Sequence, residues 1–118
     1  MVEGQSKYFK TEEANETLKG VFDQDAPIEE REYQYMTGSV YIGQWKGGMR
    51  HGQGTMKWID GASYQGEWQL NVAQGKGKFF HVEGDIYDGK WVNNKANGFG
   101  IYTNKGGARY EGHWKDDL

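Results

Sequence analysis

Residues 41–63 read YIGQWKGGMRHGQGTMKWIDGAS, residues 64–86 YQGEWQLNVAQGKGKFFHVEGDI, and residues 87–109 YDGKWVNNKANGFGIYTNKGGAR. A fourth start, YEGHWKDDL, fills 110–118. Three columns recur every 23 residues: Tyr41, Tyr64, Tyr87 and Tyr110; Gly43, Gly66, Gly89 and Gly112; Trp45, Trp68, Trp91 and Trp114. Paired glycines follow, Gly52 with Gly54, Gly75 with Gly77 and Gly98 with Gly100, and Gly61, Gly84 and Gly107 close each unit. Upstream, Tyr33 stands where the next unit has Met56, and Gly38 where it has Gly61. A fixed period of this length marks a stacked array. Its parts are a half-unit over 31–40, full units over 41–63, 64–86 and 87–109, and a partial unit over 110–118.

Within a unit, Tyr, Gly and Trp occupy every second position, the period of a β-strand. Gly54, Met56 and Trp58 alternate likewise in the second half. The position three after each Trp is Gly48, Asn71, Asn94 or Asp117, residue types that tolerate positive φ. Asp60-Gly61, Glu83-Gly84 and Gly106-Gly107 mark the other turn, two of the three being favoured hairpin dipeptides. Each unit is thus read as two antiparallel strands, adding roughly 10 Å to the array. Glycine weakens a strand but leaves a hole that a neighbouring ring can cover. Gly43, Gly54, Gly66, Gly77, Gly89 and Gly100 are the structural glycines on this reading. Each unit's aromatics are expected to cover the glycines of the next.

Composition supports a fold built on rings. Leu, Ile, Val and Phe together number only 19 of 118 residues, while there are five Trp, eight Tyr and 19 Gly. Large aromatics bury enough area to replace the missing aliphatics. Cysteine is absent, which excludes disulfides and thiolate metal sites. No apolar stretch reaches the roughly 20 residues of a membrane-spanning helix, and residues 1–30 lack the pattern of a secretory signal peptide. Charge divides the chain: residues 1–30 carry three Lys and eight acids, residues 31–118 eleven basic and nine acidic residues. The first segment reads as an acidic arm, either flexible or docking, with a short helix from Thr11 to Gly20 as its one structured candidate.

Y-x-G-x-W, then His51-Gly52-Gln53-Gly54, then D-G-x-x-Y from Asp60 to Tyr64, resembles the MORN repeat (membrane occupation and recognition nexus). The resemblance spans residues 31–118 and is similar to the multi-repeat arrays common in ciliates. It departs from the pattern where Gln74 and Asn97 replace the His and where Leu70 enters a turn. It implies an all-β fold, an elongated, twisted, single-layer antiparallel sheet of stacked hairpins. It also implies a non-catalytic module, found beside lipid kinases and a lysine methyltransferase, in junctophilins, radial-spoke heads and apicomplexan cytoskeletal rings.

Other chemistries have little support. Gly75-Lys76-Gly77 resembles part of a phosphate loop, but a strand follows it, not the helix such a site needs. His51, His81 and His113 fall in three different columns and make a poor metal set. No nucleophile with a base and no carboxylate pair stands out. No cofactor and no nucleic-acid partner are expected, the array being barely basic. Lys57, Lys76 and Lys78 are candidate contacts for acidic phospholipid.

The expected function is a protein-interaction scaffold, cytoplasmic and set in the cytoskeleton or a cilium. Its expected groove is lined by Tyr41, Trp45, Tyr64, Trp68, Phe79, Tyr87, Trp91 and Tyr102, and accepts a partner segment such as a helix. Open sheet ends suggest self-association. A membrane-surface adaptor, or a regulatory module of a larger enzyme, are the other readings.

Overall fold

Rings and glycines at alternate positions commit one face of the Tyr-x-Gly-x-Trp strands to the same two residue types. In the computed structural model, which describes residues 25–115, that alternation forms one antiparallel sheet. Its strands are β1 (Ile28–Gln34), β2 (Val40–Lys46), β3 (Met49–Lys57), β4 (Ser63–Gln69), β5 (Val72–Phe80), β6 (Ile86–Val92), β7 (Lys95–Thr103) and β8 (Arg109–Trp114). They lie side by side in chain order, with no helix among the described residues. The stacked-hairpin expectation holds, and β1 takes residues 28–30 into the sheet ahead of the half-unit. The rest of the arm, with its candidate helix, and residues 116–118 lie outside the described residues.

The register aligns like with like. Gly43, Gly54, Gly66, Gly77, Gly89, Gly100 and Gly112 pair in an unbroken row across β2 to β8. Beside it runs a row of Tyr33, Tyr41, Met56, Tyr64, Phe79, Tyr87, Tyr102 and Tyr110. Strands β2, β4 and β6 use this alignment in two ways. The Tyr ring folds forward along its own strand, and its hydroxyl donates to the carbonyl three residues on: Tyr41 to Gln44 at 2.8 Å, Tyr64 to Glu67 at 2.9 Å, Tyr87 to Lys90 at 3.3 Å. The ring thereby crosses the two paired glycines of its own unit. A Cβ added at Gly77 would stand 2.2 Å from the Tyr64 hydroxyl oxygen, and one at Gly66 2.4 Å from the Gly77 backbone.

The Trp ties each unit to the one before. Its indole N–H donates to a backbone carbonyl 14 residues upstream: Trp45 to Arg31, Trp68 to Gly54, Trp91 to Gly77, at 3.0–3.1 Å. Trp68 and Trp91 also meet two Tyr edges each, their own unit's and the previous unit's. Tyr41 and Tyr64 lie 5.4 and 5.2 Å from Trp68, and Tyr64 and Tyr87 lie 5.3 and 5.2 Å from Trp91. The expected direction of coverage is therefore corrected. Tyr covers glycines inside its own unit, and contact between units runs through Trp to the preceding one.

The two kinds of turn also differ. Gln69 pairs with Val72 around Leu70 and Asn71, and Val92 with Lys95 around Asn93 and Asn94, all four central residues having positive φ. That is the type I′ hairpin turn. Asp60-Gly61 and its equivalents do not form such a two-residue turn. There Gly61 N–H bonds the Trp58 carbonyl, Trp58 N–H bonds the Ala62 carbonyl, and of that turn only Gly61 has positive φ. This is a longer loop, a type I turn followed by a left-handed glycine.

Candidate functional site

The aromatic row was the expected groove, and its burial decides what it offers. Tyr41, Trp45, Tyr64, Trp68, Phe79, Tyr87 and Trp91 are 0–3 % exposed. They are the core cluster, and only Tyr102 of the eight is part-exposed. Rings lying flat on glycine, with their edges against other rings, become the core of a sheet that would otherwise have no interior. The open groove lined by these seven rings is thus replaced by a packed surface. Burial pushes the Tyr41 and Tyr64 phenols far above the ordinary tyrosine value. Tyr102 is pushed up to about 12, by burial first and then by its hydrogen bond to Asp85. That same bond, with the Lys105 backbone N–H, holds the Asp85 carboxyl below its usual range.

The opposite face carries the accessible relief. One row there reads Glu32, Ile42, Thr55, Gln65, Lys78, Asp88, Ile101 and Glu111. Gln53, Glu67, Lys76, Lys90, Phe99 and His113 stand on the far side of the glycine row. Between these side chains the glycine backbone lies low. At the β1–β4 end a hollow of about 650 Å³ opens, lined by Glu30, Ile42, Gln53, Thr55 and Gln65 over Gly43, Gly54 and Gly66. Sequence reasoning missed this hollow because it weighed the glycines only from the ring side.

Lys57, Lys76 and Lys78, the expected lipid contacts, all point to this hollowed face and are exposed. Lys76 pairs across strands with Lys90, but Lys78 faces Asp88, and the Glu67 carboxylate accepts from the Lys76 backbone N–H. Lys57 stands two strands away on β3. The lysines share a face and are interleaved with acids. Among the described residues no group of three or more His, Cys, Asp or Glu could hold a metal.

Arg50 is the residue that sequence reasoning passed over. It is 0 % exposed, in a column whose other members are Ala73 and Ala96. Its guanidinium lies 4.9 Å over the Trp68 ring and 5.4 Å from the Tyr35 ring. It donates to the Tyr35 hydroxyl and, at 2.8 Å, to the Asn71 carbonyl. Comparing the repeat columns would have found it, as the one large residue among alanines.

The family model described as MORN repeat matches residues 41–63, 64–86, 87–109 and 110–118. No curated protein matches the chain.

Proposed function

The chain belongs to the MORN repeat family, and from that premise we propose that it is a non-catalytic scaffold that holds a segment of a protein partner on the face opposite the rings. The hollow of about 650 Å³ over Gly43, Gly54 and Gly66 carries this reading. Its floor is backbone and its walls are Glu30, Arg31, Ile42, Gln53, Thr55 and Gln65. Polar and charged groups around one apolar contact, Ile42, suit a site that orients a polar segment. The aromatic row supports the hollow from behind, and Tyr102 alone of its expected contacts adds accessible surface. A cytoskeletal or ciliary setting is the family analogy that fits a scaffold.

The test uses a photoreactive residue placed at Gln65, with the same residue at Ile59 as control. A crosslinked partner at Gln65 that vanishes in a Gln53→Arg background, with the fold retained, supports the reading. Equal crosslinking at both positions, or none at Gln65, overturns it. The second reading, an adaptor for acidic phospholipid, has Lys76, Lys78 and Lys90 on one face in its favour. Flotation with vesicles containing phosphatidylinositol phosphates, abolished by Lys76→Ala with Lys78→Ala, would favour it over a protein partner.

A further inference from the structure

Leu70 is a poor choice for its own backbone. It opens the β4–β5 turn at φ 48°, in a column where the neighbouring units place Gly47 at 61° and Asn93 at 49°. Glycine and asparagine enter the left-handed region at little cost, and leucine does not. Packing does not offset that cost, since the side chain is 43 % exposed. Backbone strain kept without a return in packing is a mark of ligand clamps and other functional sites.

A cavity stands beside it. About 310 Å³ opens between two successive turns, lined by Gln69 and Leu70, by Val72 and Gln74 of β5, and by Asn93 of the β6–β7 turn. The Gln74 side-chain oxygen accepts the Asn93 N–H at 3.1 Å, which ties the far wall to β5. Trp68 and Ala73, paired and buried, take the ring side. Gln69 and Val72, the next pair, therefore stand on the opposite face. The lining is two apolar side chains and three carboxamides, with no charge. The preceding unit has Lys46 and Gly47 where this one has Gln69 and Leu70, and the following unit has Lys95 in place of Val72. The neutral, apolar-walled form of the site belongs to this one unit.

We propose that this cavity is a binding site for a single uncharged apolar side chain, leucine to tryptophan in size, carried by a protein partner. The volume lies at the small end of ligand pockets, which begin at about 300 Å³, and so suits one side chain. A charged side chain would lose hydration against walls that hold no opposite charge. Leu70 and Val72 supply the apolar contact. The carboxamides of Gln69, Gln74 and Asn93 both donate and accept, which matches the peptide groups on either side of an inserted side chain. The inference rests on the scaffold reading for the partner's being a protein, and deepens it by naming the chemistry of one contact. The cavity shares no lining residue with the hollow over Gly43, Gly54 and Gly66. Leu70 then exchanges stability for contact: asparagine in its place relieves the backbone and removes the apolar wall.

The test titrates the 118-residue chain with capped single residues, N-acetyltryptophanamide against the N-acetyl amides of lysine and glutamate, and follows methyl resonances by NMR. Expected are saturable shifts of the Leu70 and Val72 methyls with the tryptophan probe, and at least about tenfold weaker binding of both charged probes. Leu70→Asn, read at Val72, is expected to weaken the tryptophan probe at least about tenfold while raising the urea midpoint. Gln69→Lys, which brings in the charge of the preceding unit, weakens it with the fold retained, and decides the matter should Leu70→Asn not fold. No shift at Leu70 and Val72, equal binding of charged and uncharged probes, or unchanged binding in both variants overturns the proposal. A lowered urea midpoint in folded Leu70→Asn also overturns it, because the leucine would then serve the fold. Dihexanoyl phosphatidic acid is the lipid probe: shifts with it and none with the tryptophan probe would give the cavity to lipid and overturn a protein side chain. Crosslinking at Gln65 reports the hollow and these methyl shifts report the cavity, so failure of one is told apart from failure of the other.

Discussion

Leu70 shows most simply how backbone geometry and side-chain choice can disagree. Its φ is 48° in a turn whose counterpart in the next unit is Asn93, at 49°. A left-handed conformation costs an ordinary residue about 1–2 kcal/mol, and Asn less. Leu70 is also exposed, so it gives little packing in return. Leu70→Asn is expected to stabilise the chain by about 0.5–1 kcal/mol, read as a shift in the urea midpoint without a change in slope. Tyr102 makes a prediction in pH. Its folded value is raised from 10.0 to about 12. The native state thus holds the phenolic proton more tightly than the unfolded chain does. That stability is complete below pH 10 and is lost as pH rises from 10 through 12. Melting temperature should fall across this window, and Tyr102→Phe should flatten part of the fall. Asp85 adds the opposite dependence in acid: its depressed value stabilises above the usual carboxylate range, and protonation removes the effect as pH falls. Of these features only the tolerance of the turn for positive φ was legible in the sequence, through Asn71 and Asn94. Leu70 stood out in the sequence as a departure within a turn, but nothing in a leucine announces a left-handed backbone.

Between elements, the type I′ turns do more than reverse the chain. Asn71 Oδ1 accepts from the Arg50 backbone N–H at 2.8 Å while Asn71 N–H donates to the Arg50 carbonyl at 3.0 Å. Asn94 repeats this on Ala73, at 2.7 and 3.1 Å. Each turn thus clamps the start of the second strand one unit earlier. Asn94→Gly keeps the backbone freedom and removes the clamp, leaving the Ala73 N–H without that acceptor. It is expected to cost about 1–3 kcal/mol, the penalty for an unsatisfied buried donor, measured by chemical unfolding. An unchanged midpoint would show that the side chain is there for φ alone. The sequence disclosed the strands, their antiparallel order and the row of like residues, because a strict 23-residue period fixes register once one pair is placed. It did not disclose which unit each ring covers. A periodic pattern is the same whether a side chain leans forward or back, and only the Tyr hydroxyl's reach to the carbonyl three residues on settles it.

At the scale of the whole molecule, a one-layer sheet must make its core from its own surface. Here the rings are that core, which is why the groove expected along them is packed shut and the relief appears on the other face. The sequence could not place the hollow, since its floor is backbone and leaves no residue pattern of its own. A sheet built this way has no unit that stands alone, so damage to one ring-on-glycine contact should register in global unfolding. The direct test is a double-mutant cycle on Tyr64→Leu and Gly77→Ala, read as free energy of unfolding in urea. In the unaltered background Gly77→Ala drives a Cβ into the Tyr64 ring and is expected to cost about 2–3 kcal/mol. In the Tyr64→Leu background the shorter side chain ends before it reaches the glycine, and the same change should cost less than about 1 kcal/mol. A coupling of at least about 1 kcal/mol is the predicted result. Additive losses, with Gly77→Ala equally costly in both backgrounds, would contradict the claim that the tyrosine rings lying on the glycine row hold the sheet together.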